Sequence, residues 1–349
     1  MTGPLTAVAI ADTASWISSI QLPSGMIPWF PGGHADPWNH IESAMALVVA
    51  GCRREADRAF EWIASSQLPD GTWCRYHLAD GIEDPQRDPN VGAYVATGAW
   101  WHYLCTDDVG LLEAMWPVVD AAVGFVLRLQ QRGGEVLWSM DPDGRLGRYA
   151  LLTSNSSIHH SLRCAISIAG RLGFECPEWE LAADRIVGAI VHRPSSFAPK
   201  VRWAMDWYYP ILSGALSGEV ATERIDSRWS EFVLDGVGVR CVSDQPWVTA
   251  AETAECVMAL DAIGMRDRAT TLLDWTRHLR DDDGAYWTGC VHPQCVRYPG
   301  GERSTYTAAA VLLANHALYG YGASAGLFRG ETLPSVVDVA GVAPRLGEG

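Results

Sequence analysis

The phrase QLPSGMIPW starts at Gln21, and QLPDGTW starts at Gln67. Each sets a Gln, a Pro, a Gly and a Trp in one order, directly after a segment of helical periodicity. In the first such segment Val8, Ala11, Ala14, Ile17 and Ile20 recur at three-residue steps beside Trp16, the spacing of one helix face. Pro23 and Gly25 then break it. Two more helices fit between the phrases. One starts near Trp38, with Ile41, Met45 and Val48 on one face and Gly51 at its end; the other runs from about Glu55 to Ser66, with Ala59, Trp62 and Ile63 inward. The phrase returns in altered form in VGFVLRLQQRGGEVLW, after a helix beginning near Leu111, and in LLDWTRHLRDDDGAYW, where Asp takes the Gln place. Helical patterns also fit 90–104, 155–172, 178–192, 204–217, 246–263 and 305–319, and alternating strand patterns are almost absent.

Helix pairs joined by one recurring turn phrase indicate a repeat architecture. A pair cannot bury both its faces alone, so pairs must stack. About a dozen helices in hairpins can close into a ring, so the expected fold is all-α, an (α/α)6 toroid. One domain is expected over residues 1–325, followed by a C-terminal tail, 326–349, expected to be poorly ordered. Within the phrase the Gly permits a positive φ. The Gln amide can bond helix-end backbone groups, and the Trp can fold back over the helix ends. On that reading Trp29, Trp73, Trp138 and Trp287 are structural, which accounts for part of an unusual total of 16 Trp.

The net charge of -15, with no cluster of Lys or Arg to offset it, repels nucleic acid and argues against acidic membrane surfaces as partners. Nine Cys without tight spacing read as reduced, buried thiols. The N-terminal stretch lacks the basic start and apolar run of a signal peptide, and no stretch reaches the roughly 20 apolar residues of a membrane span. The expectation is a soluble cytoplasmic protein, without membrane insertion, that acts on a small molecule.

The turn phrase resembles the QW motif of the squalene-cyclase and prenyltransferase repeat family, which has the sense Gln, a short spacer, Gly, one residue, Trp. Gln67, Gly71 and Trp73 match it closely; Gln21, Gly25 and Trp29, and Gln130, Gly134 and Trp138, match with longer gaps. The resemblance runs from about residue 5 to 320. It implies an α/α toroid with a central cavity and, by association, a terpenoid cyclase or prenyltransferase. The family's Asp-x-Asp-Asp and Asp-Asp-x-x-Asp motifs are absent. CVHPQC offers Cys290, His292 and Cys295 but no Asp at the spacing of the prenyltransferase zinc site, so neither metal nor cofactor is expected. The toroid shape also resembles the six-hairpin glycosidases.

Several loops and helix starts combine polar groups with Trp, and in a toroid they converge at one end of the inner helices. PGGHADPWNHIE holds His34, Asp36, Trp38, His40 and Glu42 as candidate substrate contacts, with Asp36 also a plausible helix start. EDPQRDPNVGAYVATGAWW adds Asp88, a plausible cap, with Asn90 and Trp100. MDWYYP sets Asp206 beside Trp207 and Tyr208, where burial would raise its pKa and leave a proton donor near neutrality. SDQPWVTAAETAE holds Asp244, Trp247, Glu252 and Glu255; the two Glu lie three apart, on one helix face. Paired carboxylates in a cavity can serve as acid and base. Asp206, Asp244, Glu252 and Glu255 are therefore the catalytic candidates. His159, from SNSSIHHS, and Asp283 complete the candidate substrate contacts.

Two activities fit. One is carboxylate acid catalysis on an isoprenoid-type substrate, whose cationic intermediates aromatic walls stabilise. This is the first expectation, because the turn phrase is the most specific signal in the chain. The alternative is a glycosidase, lyase or epimerase, using paired carboxylates and Trp stacking on sugar rings.

Overall fold

A computed structural model describes residues 4–334. Among them are twelve α-helices that alternate between two concentric layers. The inner helices are α2 (Pro37–Val49), α4 (Pro89–Thr106), α6 (Leu152–Leu172), α8 (Ala204–Leu212), α10 (Ala250–Ala262) and α12 (Thr305–Tyr319). Each packs on the next, and α12 packs back on α2, closing the ring. The outer helices are α1 (Ala7–Ile20), α3 (Arg53–Ser65), α5 (Val109–Leu129), α7 (Pro177–His192), α9 (Gly218–Phe232) and α11 (Arg266–Trp275). The fold is the expected (α/α)6 toroid.

The layers differ in sequence for a physical reason. Inner helices are buried almost all round, so they lack an apolar stripe and use small residues that let neighbours approach, as at Ala308, Ala309 and Ala310 of α12 or Ala93, Ala96 and Ala99 of α4. Outer helices bury one face; in α3 that face is Ala56, Ala59, Phe60 and Ile63. By length and composition alone, α5 is apolar enough to cross a membrane, which corrects the expectation that no stretch reaches that length. Its buried residues, including Leu112, Val119, Val123 and Val126, face α4 and α6.

The turn phrase is a staple between outer helices. Gln67 Nε2 donates to Gly71 O at 3.2 Å within the turn and to Val118 O of α5 at 2.9 Å. Gln21 does the same with Gly25 O and Glu55 O of α3, and Gln130 with Gly134 O and Ala182 O of α7. Trp73 Nε1 donates back to Ile63 O of α3, as the structural reading expects. Four of the six outer-to-inner connections carry the phrase: those after α1, α3, α5 and α11.

The sequence reading departs from the structure in the last third of the chain. Helix α9 is followed by no phrase and falls outside the expected helices, and its sequence is rich in charge. The segment 246–263 starts as a strand and becomes helical only at Ala250, and α8 stops at Leu212 instead of running to 217. An antiparallel sheet joins β3 (Val233–Leu234), β4 (Gly238–Arg240), β5 (Trp247–Thr249), β6 (Trp287–Val291) and β7 (Val296–Arg303) in sequential order. Four of these strands span five residues or fewer, too short for alternation to register. A small hairpin, β1 (Tyr76–Leu78) and β2 (Gly81–Asp84), precedes α4. Leu327 and Phe328, assigned to the tail, are buried in the core; residues 335–349 lie outside the described residues.

Candidate active site

The first turns of the inner helices meet at one end of the ring and wall a cleft of two lobes. Lobe one, of about 470 Å³, is lined by Asp36, Trp38 and Asn39 from the start of α2, Asp88, Asn90 and Val91 from α4, Leu151, Thr153 and Ser154 from α6, Trp203, Met205 and Asp206 from α8, and Glu252 from α10. Lobe two, of about 450 Å³, adds Glu42, Glu255, Tyr298, Glu302 and Tyr306. Trp29, Trp38, Asn39, Met205 and Glu252 border both lobes, so the two are continuous. The convergence has a local cause: helix N-termini carry unsatisfied N–H groups and a positive dipole end, which favour carboxylates.

The carboxylates differ in their surroundings. Asp36 caps α2. Its Oδ1 accepts from Asn39 N at 3.0 Å, and its Oδ2 accepts from Trp29 Nε1 at 2.6 Å and Asn39 Nδ2 at 2.7 Å. Burial nonetheless holds its pKa above the usual range. Asp88 caps α4 through Asn90 N and Val91 N, and burial pushes it up to about 6. Asp206 Oδ1 accepts from Thr153 Oγ1 at 2.7 Å, and burial raises it also. Glu252 Oε2 accepts from Thr249 Oγ1; burial raises its pKa, and among the described residues no side chain donates to its Oε1. Glu255 accepts from the Tyr208 hydroxyl, and burial, with the negative charge of Glu42, holds it well above the usual range. Glu42 accepts from Trp38 Nε1 at 3.0 Å and Tyr94 OH at 3.4 Å; burial pushes it up to about 8.

Glu42 yields a stability prediction. Its folded carboxyl keeps its proton up to about pH 8, from an ordinary value of 4.5. The unfolded chain releases that proton in the ordinary range. Its contribution to stability is therefore complete below about pH 4.5 and is lost as pH rises through 8. Glu42→Gln cannot ionise and keeps an acceptor for Trp38. The variant should melt about 3 °C or more above wild type at a pH above 8 and level with it near pH 4.5, read by thermal melting across pH. An equal offset at both ends would refute a buried, protonated Glu42.

Other candidates sit elsewhere. Asp244 is exposed and pairs with Arg202 at 2.7 Å, because the turn before β5 points it outward. Asp283 lies in the turn after α11 and pairs with Arg303 at 2.7 Å. His40 is wedged between Ile27 N and Ala59 O, and burial lowers its pKa to about 4. His159 is buried, its pKa lowered to about 3, and it lines neither lobe. Trp100 stacks on Tyr103. Trp207 is core, bonded to Arg224 O and stacked on Phe232. Tyr208 lines neither lobe and donates its hydroxyl to Glu255. Trp247 stacks on Tyr298 at 4.9 Å, behind lobe two. His34 stacks on Tyr76 and pairs with Glu83 at 2.6 Å, one layer behind the lining.

Sequence reasoning missed others. Trp29 and Trp138, read as structural, both line lobe one, as do Asn39, Arg75, Tyr76, Lys200 and Met205. The signal was available for Trp29 and Trp138: in both, the distance from the turn Gly exceeds the tight motif, which releases the ring from the helix ends. No group of three or more potential metal-ligating side chains occurs among the described residues.

No protein-family model matches the chain. It is 49% identical over 332 residues, covering 95% of this chain and 92% of the relative, to the MMP endo-(1,4)-3-O-methyl-alpha-D-mannosidase of Mycolicibacterium hassiacum. Among solved structures it is similar to a glycosidase in complex with glucose (TM-score 0.70, 16% identity, 89% of this chain and 98% of that one). It is also similar to the GH63 mannosylglycerate hydrolase of Thermus thermophilus (0.68, 14%, 87% and 99%) and to a D-mannose isomerase (0.67, 11%, 88% and 96%). At such identities the structures speak for the fold alone. The sequence relative corrects the first expectation: the toroid is not that of a squalene cyclase or prenyltransferase, because a turn staple that closes helix hairpins is independent of the chemistry inside them. The chain belongs to the family of the MMP endo-(1,4)-3-O-methyl-alpha-D-mannosidase and is a carbohydrate-active enzyme of the glycosidase kind.

Proposed function

We propose that the protein hydrolyses α-(1,4) bonds inside chains of 3-O-methylated mannose, with Glu252 as general acid and Asp36 as general base. The observation that carries this reading is the position of Glu252 on the wall shared by both lobes. An endo-acting enzyme must hold sugars on both sides of the bond it breaks, and Glu252 is where two sugar-sized spaces meet. Methylation makes a sugar face more apolar, and Trp29, Trp38 and Met205 at the same junction suit it.

The roles follow from hydrogen bonding. Three donors converge on Asp36, with both acceptor positions of Oδ2 filled; they oppose the upward pull of burial and leave no place for a proton on Oδ2, which favours the ionised form as the base. Glu252 has a single donor and a raised pKa, so it can carry a proton on Oε1 toward the cleft. In the reaction the Glu252 proton passes to the glycosidic oxygen as the bond from the sugar's anomeric carbon breaks. A water adds to that carbon and gives its proton to Asp36. Asp88, Asn90 and Asp206 line lobe one as acceptors for sugar hydroxyls.

The test is product analysis over time with 3-O-methylated α-(1,4)-mannan oligosaccharides and their unmethylated counterparts. Early products of intermediate length from the methylated chain are expected, with unmethylated chains cleaved more slowly. Release of single sugars from one end, or no cleavage, would overturn the reading.

A further inference from the structure

We infer that the rim beside lobe one, built on Trp203 and Tyr149, is a further sugar-binding site that holds methylated mannose units beyond the cleft. The inference rests on the proposed substrate. Trp203 lines lobe one yet is 46% exposed; Tyr149 is 40% exposed, Leu146 42% and Val201 65%. Large side chains left this open contribute little to the core. Other exposed apolar residues stand singly: Phe174 and Tyr321 follow the C-terminal ends of α6 and α12, at the opposite end of the ring, and Ile82 and Val296 lie alone in the β1–β2 and β6–β7 hairpins. These four instead come from two loops at the cleft's own end.

The two loops are fastened together. Ala150 pairs with Phe197 in a parallel bridge, and Ala198 N donates to Ala150 O at 2.9 Å. Trp203 closes a turn by donating its N–H to Lys200 O at 2.9 Å and pairs across to Val242. Tyr149 is backed by Trp138, whose ring stacks on it at 5.3 Å and 15°, and the Arg75 guanidinium sits 4.6 Å from the Trp138 ring centre. A ring held in this way loses little freedom when a ligand stacks on it. The surface continues from lobe one, where Arg75 and Lys200 offer donors to ether and hydroxyl oxygens. Flat rings with neighbouring donors fit a neutral glycan with apolar faces, and the continuity fixes the occupant as the extended end of the same chain.

The test measures binding, not turnover, in a Glu252→Gln background by calorimetric titration with short and long 3-O-methylated mannan oligosaccharides. Long chains are expected to bind more tightly than short ones. Trp203→Ala and Tyr149→Ala should each shrink that advantage about 3- to 10-fold, the scale of one aromatic contact. Tyr149→Phe, which keeps the ring, should preserve it, and Val201→Glu, which adds only a surface charge, should reduce it. An advantage unchanged in the Ala variants and in Val201→Glu would overturn the rim site, as would an equal loss for short and long chains. If the wild type fails to cleave these chains while long-chain binding still depends on Trp203 and Tyr149, the proposed hydrolysis fails and the rim site stands.

Discussion

Glu252→Gln is expected to slow hydrolysis of methylated mannan oligosaccharides by about 100- to 10,000-fold, the range supplied by a positioned proton donor, while melting at or above the wild-type temperature. Gln keeps an oxygen to accept from Thr249 Oγ1, and it removes a half-buried acid whose charge also bears on Glu255. Asp36→Asn should match the loss of activity but melt lower, since Asp36 also caps α2 and takes three donors; only an oxygen can accept them, and Asn brings an NH2 in place of one. The two variants separate the roles. A 3-O-methylmannoside with a nitrophenyl leaving group needs little proton assistance, so Glu252→Gln should cleave it at close to the wild-type rate. Asp36→Asn should not, because water still needs its base. The opposite pattern would exchange the two roles, and unimpaired cleavage of the oligosaccharides by both variants would remove both residues from the chemistry.

These two carboxylates were unequally visible in the sequence. Glu252 and Glu255 stood out as acids three apart in a run poor in positive charge, and the structure places both on the cleft wall. Asp36 was legible as a helix cap, yet nothing in PGGHADPWNHIE separated it from His40, which faces backbone instead of substrate. Asp244 and Asp283 looked equivalent to the others because a loop acid carries no record of which way its turn points. The ring itself was legible, because it repeats a pattern in phase with 3.6 residues per turn. The sheet β3–β7 was not, because four of its strands have only two to five residues and the eight of β7 do not alternate in burial. The isoprenoid expectation fails for a related reason: the most specific signal in the chain belongs to the scaffold. Two of its Trp residues, Trp29 and Trp138, do reach the cleft.

Substituting the scaffold glycines should show how strongly that signal constrains the fold. Gly71 sits at φ +84°, and a Cβ there would lie 2.3 Å from Ala121 O, a backbone atom of α5. Rotation of a side chain cannot relieve that contact, so α3 and α5 must separate and the two Gln67 amide bonds must stretch. Gly51 has almost the same φ, +82°, with nothing within 4 Å of its Cβ position. Gly51→Ala therefore bears only the left-handed backbone cost, about 1–2 kcal/mol, whereas Gly71→Ala should cost about 3–4 kcal/mol, of the order of an overpacked core. Chemical denaturation of the two variants reads the difference directly, and equal losses would mean that the staple does not set the spacing of the outer layer. The same turn leads into Arg75 and Tyr76, which line lobe one. Gly71→Ala should therefore also weaken substrate binding in the fraction that stays folded, and Gly51→Ala, at the far end of α2, should not. The phrase repeated along the chain thus acts twice: it fixes how far apart the outer helices stand, and from that spacing it delivers the loops that form the mouth of the cleft.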